Sequence, residues 1–153
     1  MKTILFSAIA LFVAQDISAQ CWNLIWSDEF TGRVLDRSKW TAVDDPQSVS
    51  AVGVYPWDVQ LLRSDLSLKK SHRYRISFWA KAGVDAKILN CSVLNATNYS
   101  QLGFVSASLI TSWQYFSTSF IPSASQTGLL TFDFGTQTGV INLDNVALVD
   151  STR

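Results

Sequence analysis

The segment from Tyr55 to Ala82, YPWDVQLLRSDLSLKKSHRYRISFWAKA, decides the fold class of this chain. Its second half, Arg73–Ala82, alternates between apolar and polar residues, a pattern typical of a β-strand with one buried face. The residues expected on the buried face are at every second position: Tyr74, Ile76, Phe78, Ala80 and Ala82. The first half opens with a Pro-Trp-Asp turn and continues into a short predicted strand, Asp58–Leu62, and a polar bend separates that strand from the long one.

The same alternation recurs towards the C-terminus. Further strands are predicted at Ala86–Leu94, Leu102–Ile110, Trp113–Ile121, Leu129–Phe134 and Val140–Val149. We expect the first of these to pair with Arg73–Ala82, and the second to pair with the third. No stretch has a sustained helical period, and turn signals separate the strands about every eight to twelve residues. The chain is therefore predicted to be all-β, a sandwich of antiparallel strands.

The N-terminus has the features of a secretory signal peptide. Lys2 supplies a positive charge, residues 4–14 are apolar, and residues 17–19 form a cleavage site with small side chains. The apolar run is too short to span a bilayer. We therefore expect a secreted, extracellular protein with a signal peptide at 1–19 and one domain at 20–153.

The charge balance excludes two classes of partner. The sequence has 12 Lys and Arg and 12 Asp and Glu, so its formal net charge is zero. Such a chain has no net field that attracts nucleic acid or an anionic membrane, and we predict neither partner. Six Trp among 153 residues suit either a tight core or an aromatic binding surface.

Two cysteines and two sequons suggest covalent features of an extracellular chain. Cys21 and Cys91 form an even pair, which predicts a disulfide in a secreted protein; two free thiols are the alternative. Lipid modification of Cys21 is less favoured, because residues 18–20 match such a site poorly. The sequons at Asn95 and Asn98 predict N-glycosylation in a host that carries it out.

The motif W-S-D-E-F-x-G-x-x-L-D-x-S-K-W, which ends the segment Gln20–Trp40, resembles the opening strand and turn of family 16 glycoside hydrolases. Retaining hydrolysis needs two carboxyl groups about 5 Å apart. Glu29 is the single Glu, and the adjacent Asp44 and Asp45 point to opposite strand faces or lie in a turn. We therefore predict that the chain is not an enzyme, and a remnant of a family 16 hydrolase is the least favoured alternative.

Five motifs between Tyr55 and Val149 follow one another in a specific order. They are PWDVQL, RISFWAKA, a Trp113-x-x-Phe116 strand, FDFG and LDNVAL. In this order they resemble carbohydrate-binding modules of families 4, 9 and 22. The resemblance implies a jelly-roll β-sandwich that binds a polysaccharide of β-glucan or xylan type in a cleft without cleaving it. The N-terminal strand region 20–54 is short relative to such modules, and 55–153 is the main part of the domain.

The resemblance and the chemistry of sugars together select candidate binding residues. Aromatic rings pack on the C–H faces of pyranoses, while amides and carboxylates bond the hydroxyl groups. Trp57 in the PWD turn and Tyr99 in a polar loop are the expected stacking residues. Gln60 and Asp133 are the expected polar contacts. Trp79, which points outward on its strand, is a further candidate.

These candidates also have structural interpretations. Trp57 shares its strand parity with Val59 and Leu61, which would place it in the core. Trp79 could be covered by the N-terminal segment, and the two polar residues could be solvated strand positions. Trp113, at the start of a predicted strand, is assigned to the core.

The resemblance further implies a structural calcium ion, with Asp144 of the LDNVAL motif as the candidate ligand. Thr31 stands where such modules usually have Glu. The alternative class of function is a structural or adhesive extracellular sandwich that acts through protein contacts. Self-association and association with a catalytic protein are the partner hypotheses beside the polysaccharide chain.

Overall fold

The computed structural model describes residues 23–30, 35–44, 55–84, 86–135 and 137–152. The predicted signal peptide, Cys21 and Thr31 lie outside these ranges. No helix within them is long and apolar enough to cross a membrane.

Nine β-strands and one short 3₁₀ turn make up the regular structure of the described ranges. The strands are β1 (Asn23–Asp28), β2 (Thr41–Asp44), β3 (Val59–Leu68), β4 (Tyr74–Ala82), β5 (Lys87–Asn95), β6 (Gln101–Leu109), β7 (Gln114–Phe120), β8 (Gln126–Asp133) and β9 (Ile141–Asp150). The 3₁₀ turn, Pro56–Asp58, immediately precedes β3. The predicted all-β class is confirmed.

The strands form two sheets in which neighbours run antiparallel. The four-stranded sheet has the order β1-β9-β4-β7, and the five-stranded sheet has the order β2-β3-β8-β5-β6. From β3 onward the chain crosses between the sheets at nearly every connection, as in a jelly roll. The predicted jelly-roll sandwich is confirmed.

Two predicted strand pairings are wrong. β4 pairs with β7 and β9, whereas β5 pairs with β6 and β8, so the expected partners β4 and β5 lie in different sheets. The expected pair β6 and β7 is divided between the sheets in the same way. Alternation along a strand reports which face is buried, but it carries no information on which strand lies beside it.

The core lies between the two sheets and consists of the apolar side chains on the inward face of each sheet. Each of the following side chains is at most 3% exposed: Tyr74, Ile76, Phe78, Ala80 and Ala82 of β4, Leu89, Cys91 and Val93 of β5, and Leu130 and Phe132 of β8. Phe78 meets Phe132 edge to face across the interior, with ring centroids 5.1 Å apart. The alternation predicted for Arg73–Ala82 is therefore confirmed.

The hydrolase-like N-terminal motif closes one side of this core. Trp40 is 2% exposed, and its indole Nε1 donates to the Asp28 carboxylate at 2.8 Å. The other carboxylate oxygen of Asp28 accepts from the backbone N–H of Phe30 at 3.0 Å, and the Phe30 ring stacks on Trp40. Asp28 thus satisfies a buried indole, which is a structural role. Glu29 is exposed.

Two local predictions need correction. The strand predicted at Asp58–Leu62 extends as β3 to Leu68, because a bulge between Arg63 and Leu66 accommodates the polar residues that suggested a bend. The prediction that Trp113 belongs to the core is wrong, because Trp113 precedes β7 and is 42% exposed. The Lys81 ammonium group lies over its ring, 4.9 Å from the centroid.

Cys91 forms no disulfide in this structure, and its predicted partner, Cys21, lies outside the described residues. Cys91 is a free thiol in the middle of β5 and is completely buried between the sheets. A bridge to it would require a second cysteine inside the sandwich core, where the space is filled by close-packed apolar side chains. Burial raises the pKa of the Cys91 thiol, and the nearby Asp133 carboxylate raises it further.

Candidate functional site

A cleft of about 540 Å³ lies on the outer face of the five-stranded sheet. It is lined by Pro56, Trp57, Gln60, Asn90, Ser92, Leu94, Tyr99, Gln101, Phe104, Thr131 and Asp133. Four of the five predicted sugar-binding residues, Trp57, Gln60, Tyr99 and Asp133, are in this set. They come from β3, β8, the 3₁₀ turn and the β5–β6 loop, and the pairing of β3, β8 and β5 brings them together.

The floor of the cleft carries a row of hydrogen-bonding side chains. Gln60, Asp133 and Asn90 are register partners across β3, β8 and β5. The Gln60 Nε2 donates to Asp133 Oδ1 at 2.8 Å. Adjacent strands are about 4.8 Å apart, so the three polar groups form a short transverse row. Amide and carboxylate groups in such a row offer both donors and acceptors to sugar hydroxyls.

Asp133 supplies the carboxylate of this row and is partly buried. Burial raises its pKa above the ordinary Asp value, and the hydrogen bond from Gln60 and the nearby Thr131 hydroxyl partly offset that increase. A desolvated carboxylate is a strong acceptor because each hydrogen bond to it is stronger in a low dielectric environment.

Thr131 and Ser92 form the next row of the floor and are register partners on β8 and β5. The Thr131 hydroxyl is buried and has no hydrogen bond of normal geometry to the described residues, although it lies near enough to lower the pKa of Asp133. A buried hydroxyl without a partner is costly. A hydroxyl-bearing ligand in the cleft is one means of satisfying it.

Trp57 stands at one end of the cleft on a rigid turn. Its side chain is 56% exposed, and its ring is stacked on Tyr55 with centroids 4.9 Å apart and planes 3° from parallel. Asp58 Oδ2 accepts from the Tyr55 N–H at 2.9 Å and closes the turn. Because these residues form a 3₁₀ turn, the strand parity that would bury Trp57 beside Val59 does not apply.

Gly135 packs against the backbone of this turn and forms a hydrogen bond with it. Its N–H donates to the Pro56 carbonyl oxygen at 2.8 Å. A Cβ at Gly135 would lie 2.3 Å from the Tyr55 carbonyl oxygen, which only glycine avoids. The FDFG motif therefore serves two purposes, because its Asp lies in the cleft and its Gly supports the Trp57 turn.

Tyr99 stands at the other end of the cleft and is 67% exposed. From the Asn90 row to Leu94, near the Tyr99 loop, four residues of β5 span roughly 13 Å at 3.3 Å per residue. Two exposed rings thus border a polar floor that is long enough for more than one pyranose.

Seven of the lining residues were not predicted, and two of them add to the binding chemistry of the cleft. Asn90 completes the polar row, and Phe104 of β6 adds a third aromatic ring that is 42% exposed. Both lie on the outward parity of their strands, and a Phe on such a position was the available signal. They become part of the cleft only through the pairing of β5 with β8 and β6, which strand alternation does not reveal.

The structure does not bring Trp79 to the cleft. It lies on β4 in the four-stranded sheet, 39% exposed, with Tyr115 of β7 and Asp144 of β9 as its register partners. Its ring meets Tyr115 at an interplanar angle of 60°, with centroids 5.7 Å apart. The prediction that Trp79 points outward is correct, but a sandwich has two outward faces and Trp79 is on the other one.

Asp144, the predicted calcium ligand, also lies on β9 of that sheet. Its Oδ1 accepts from the Asn145 N–H at 2.8 Å. Among the described residues, no group of three or more His, Cys, Asp or Glu side chains could hold a metal ion. Calcium takes six to eight oxygen ligands. Asp144 is the one predicted ligand within the described residues, so the structural calcium ion stays a prediction.

Rings and hydrogen-bonding groups that line one cleft on a β-sandwich define a class of sugar-binding proteins. In agreement, residues 47–139 match the family model CBM_4_9, a carbohydrate binding domain. The chain belongs to this family. A comparison with curated proteins gave no match.

Solved structures share the fold at low sequence identity. A CBM4 structure is 24% identical with a TM-score of 0.59, and the match covers 65% of this chain and 65% of that one. The N-terminal cellulose-binding domain of β-1,4-glucanase C from Cellulomonas fimi is 17% identical with a TM-score of 0.58, over 76% and 91% of the two chains. The CBM22-1 xylan-binding domain of Xyn10C from Paenibacillus barcinonensis is 16% identical with a TM-score of 0.57, over 89% and 99%.

Proposed function

We propose that this chain is a secreted, non-catalytic module that binds a single polysaccharide chain of β-glucan or xylan type in the cleft of its five-stranded sheet. The observation that carries the proposal is the meeting of Trp57, Gln60, Tyr99 and Asp133 in one cleft, although they come from three separate parts of the sequence. The family supports carbohydrate as the ligand. The names of two similar structures, a cellulose-binding and a xylan-binding domain, support the choice of polysaccharide.

The geometry suits binding through both faces and edges of sugar rings. Trp57 and Tyr99 offer exposed ring faces at the two ends, and C–H groups of pyranoses pack on such faces. Gln60, Asn90 and Asp133 lie between them and bond hydroxyl groups at the ring edges. Each removed ring or polar group would leave the other contacts in place, so single substitutions should weaken binding rather than abolish it.

The cleft chemistry also supports binding without hydrolysis of an uncharged chain. Asp133 is the one carboxylate among the described lining residues, and none of these is Lys, Arg or His. Glycoside hydrolysis by a pair of carboxyl groups requires a second one within about 10 Å across the bond. A site with one carboxylate and no cation favours neutral sugars over sulfated or uronic acid polymers.

Affinity electrophoresis of the purified chain tests this function directly. Native gels containing mixed-linkage β-glucan, β-1,3-glucan, hydroxyethylcellulose or xylan are compared with a gel without polysaccharide. We expect retarded migration in at least one of the four gels and no release of reducing sugar from any of them. Folded protein that migrates equally in all five gels would contradict the proposal.

The second candidate, an adhesive module that acts through protein contacts, has one observation in its favour. Trp79, Tyr115 and Trp113 are each at least 39% exposed near one another on the four-stranded sheet. Clustered exposed aromatic side chains are typical of interaction surfaces. Sedimentation velocity distinguishes the two functions. Adhesion would be favoured if the chain self-associates, if soluble glucan or xylan does not reverse this association, and if Trp79→Ala removes it.

A further inference from the structure

The loop that carries Tyr99 holds this residue in a conformation that a tyrosine does not adopt freely. The loop joins the end of β5 at Asn95 to the start of β6 at Gln101. Tyr99 has a φ of +58°, in the left-handed region where a Cβ is unfavourable. Its side chain is exposed and has no aromatic neighbour that could hold it among the ring pairs of the described residues. The conformation must therefore be imposed by the backbone of the loop.

The side chain of Asn95 organises that backbone. Its Oδ1 accepts from the N–H groups of Thr97, at 2.7 Å, and Asn98, at 3.3 Å. Its Nδ2 donates to the Oε1 of Gln126 at the start of β8. One amide group thus fixes the first half of the loop and fastens it to the neighbouring strand.

The main chain of Asn95 closes the second half of the loop. Its carbonyl oxygen accepts from the Tyr99 N–H at 2.9 Å, and its own N–H donates to the Ser100 carbonyl oxygen at 2.9 Å. Asn95 therefore bonds to all four loop residues between Ala96 and Gln101, namely Thr97, Asn98, Tyr99 and Ser100. It also bonds to Gln126 on β8. No other residue of the loop has as many of these contacts.

We propose that Asn95 is a positioning residue that sets the orientation of Tyr99 for sugar stacking. The proposal rests on the proposed function, because it assigns Tyr99 to the bound polysaccharide. It also predicts that the two sequons differ in their availability for glycosylation. The Asn95 amide nitrogen is committed to Gln126, whereas the Oδ1 of exposed Asn98 bonds only the Ser100 N–H at 3.0 Å. Asn98 is then the acceptor available to a glycosylating host, and a glycan on it would stand beside Tyr99.

A double-mutant cycle tests the positioning role. Asn95→Ala should weaken binding to the polysaccharide that the wild type retains by about two- to tenfold, which is the equivalent of one or two hydrogen bonds. The same substitution in a Tyr99→Ala background should have no further effect, since the ring it positions is gone. Asn142→Ala, at an exposed position of β9 on the other sheet, is the matched control and should bind as the wild type does.

The conservative variant Asn95→Asp separates positioning from a general loss of folding. It keeps the acceptor for Thr97 and Asn98, and the buried Gln126 Nε2, which has no partner, can donate to its second oxygen after the amide turns over. We expect Asn95→Asp to bind within about twofold of the wild type. Equal weakening by Asn95→Ala with and without the Tyr99 ring, or no weakening at all, would overturn the proposal.

A measurement without polysaccharide keeps this test independent of the proposed function. Hydrogen exchange of the Tyr99 amide should be faster in Asn95→Ala than in the wild type and unchanged in Asn95→Asp and Asn142→Ala. If the wild type retains no polysaccharide, the proposed function fails by itself. Unchanged Tyr99 exchange in Asn95→Ala would overturn the positioning role in either case.

Discussion

Gln60 and Asp133 face each other across β3 and β8, and the Gln60 Nε2 donates to Asp133 Oδ1 at 2.8 Å. The two residues are 73 positions apart in sequence, yet they act as one polar unit on the floor of the cleft. The bond uses one amide proton and one carboxylate oxygen. Each side chain therefore keeps polar atoms with which a sugar hydroxyl can bond.

The Asp133→Asn substitution should raise stability and lower affinity. Burial raises the pKa of Asp133, so this carboxylate takes up its proton at a higher pH in the folded chain than in the unfolded chain. The contribution of Asp133 to stability therefore falls as pH rises above the ordinary value of 3.8. The melting temperature of Asp133→Asn should exceed that of the wild type near neutrality, and the difference should vanish well below that value. A difference that does not change with pH would contradict this account.

The same variant should bind its polysaccharide about tenfold more weakly near neutrality, because a charged acceptor is worth roughly 1.5–3 kcal/mol and a neutral amide keeps only part of that. Isothermal titration calorimetry measures the loss. Gln60→Ala is the companion variant, and it should weaken binding without the gain in stability. Undiminished affinity in both variants would remove this pair from the binding site.

Gly135→Ala should disturb binding from outside the cleft. The added Cβ would lie 2.3 Å from the Tyr55 carbonyl oxygen and 2.9 Å from that of Pro56, so the turn that carries Trp57 must move. We expect a stability loss of about 1–3 kcal/mol from overpacking and about a tenfold loss of affinity. Urea unfolding and calorimetry measure the two effects.

Gly83→Ala is the matched control for that variant. Its Cβ would meet the nearest atom, Val140 Cβ, at 3.5 Å, which is an ordinary contact. Its affinity should equal that of the wild type. If both alanine variants bind equally well, Gly135 does not support the Trp57 turn.

The lining of the cleft predicts discrimination by charge. Asp133 is a carboxylate and the described lining contains no cationic side chain to pair with an acidic sugar. Polygalacturonate and sulfated glucans should therefore be bound more weakly than neutral glucan or xylan of equal length, and added salt should reduce the difference. Affinity electrophoresis at two salt concentrations tests this expectation. Tighter binding of the acidic polymers would contradict it.

The thiol of Cys91 should be inert in the folded protein. Its side chain is completely buried and its pKa is raised, so the reactive thiolate is scarce and inaccessible. We expect no labelling of Cys91 by iodoacetamide in native protein, complete labelling in urea, and an unchanged melting temperature in the presence of dithiothreitol. A lower melting temperature under reducing conditions would instead support the disulfide with Cys21.

The features predicted from the sequence are those that short-range patterns determine. Alternation in Arg73–Ala82 identified the buried face of β4, and the outward parity of Asp133 placed it on a sheet surface. Partner strands could not be predicted, because β4 and β5 are consecutive yet lie in different sheets. For the same reason the sequence makes Trp79 a candidate binding residue and does not single out Asn90. Both sheets of a sandwich have an outward face, and only long-range pairing decides which of them a residue occupies.

Trp57 and Tyr99 border the cleft that we propose binds sugar, whereas Trp79 lies on the opposite sheet. Calorimetric titration of the most tightly bound polysaccharide into the wild type and three alanine variants tests this assignment. Trp57→Ala and Tyr99→Ala should each lower affinity by about tenfold, or roughly 1.4 kcal/mol, with an unchanged melting temperature. Trp79→Ala should bind as the wild type does. Undiminished affinity in Trp57→Ala and Tyr99→Ala, or a loss confined to Trp79→Ala, would contradict the placement of the binding site in this cleft.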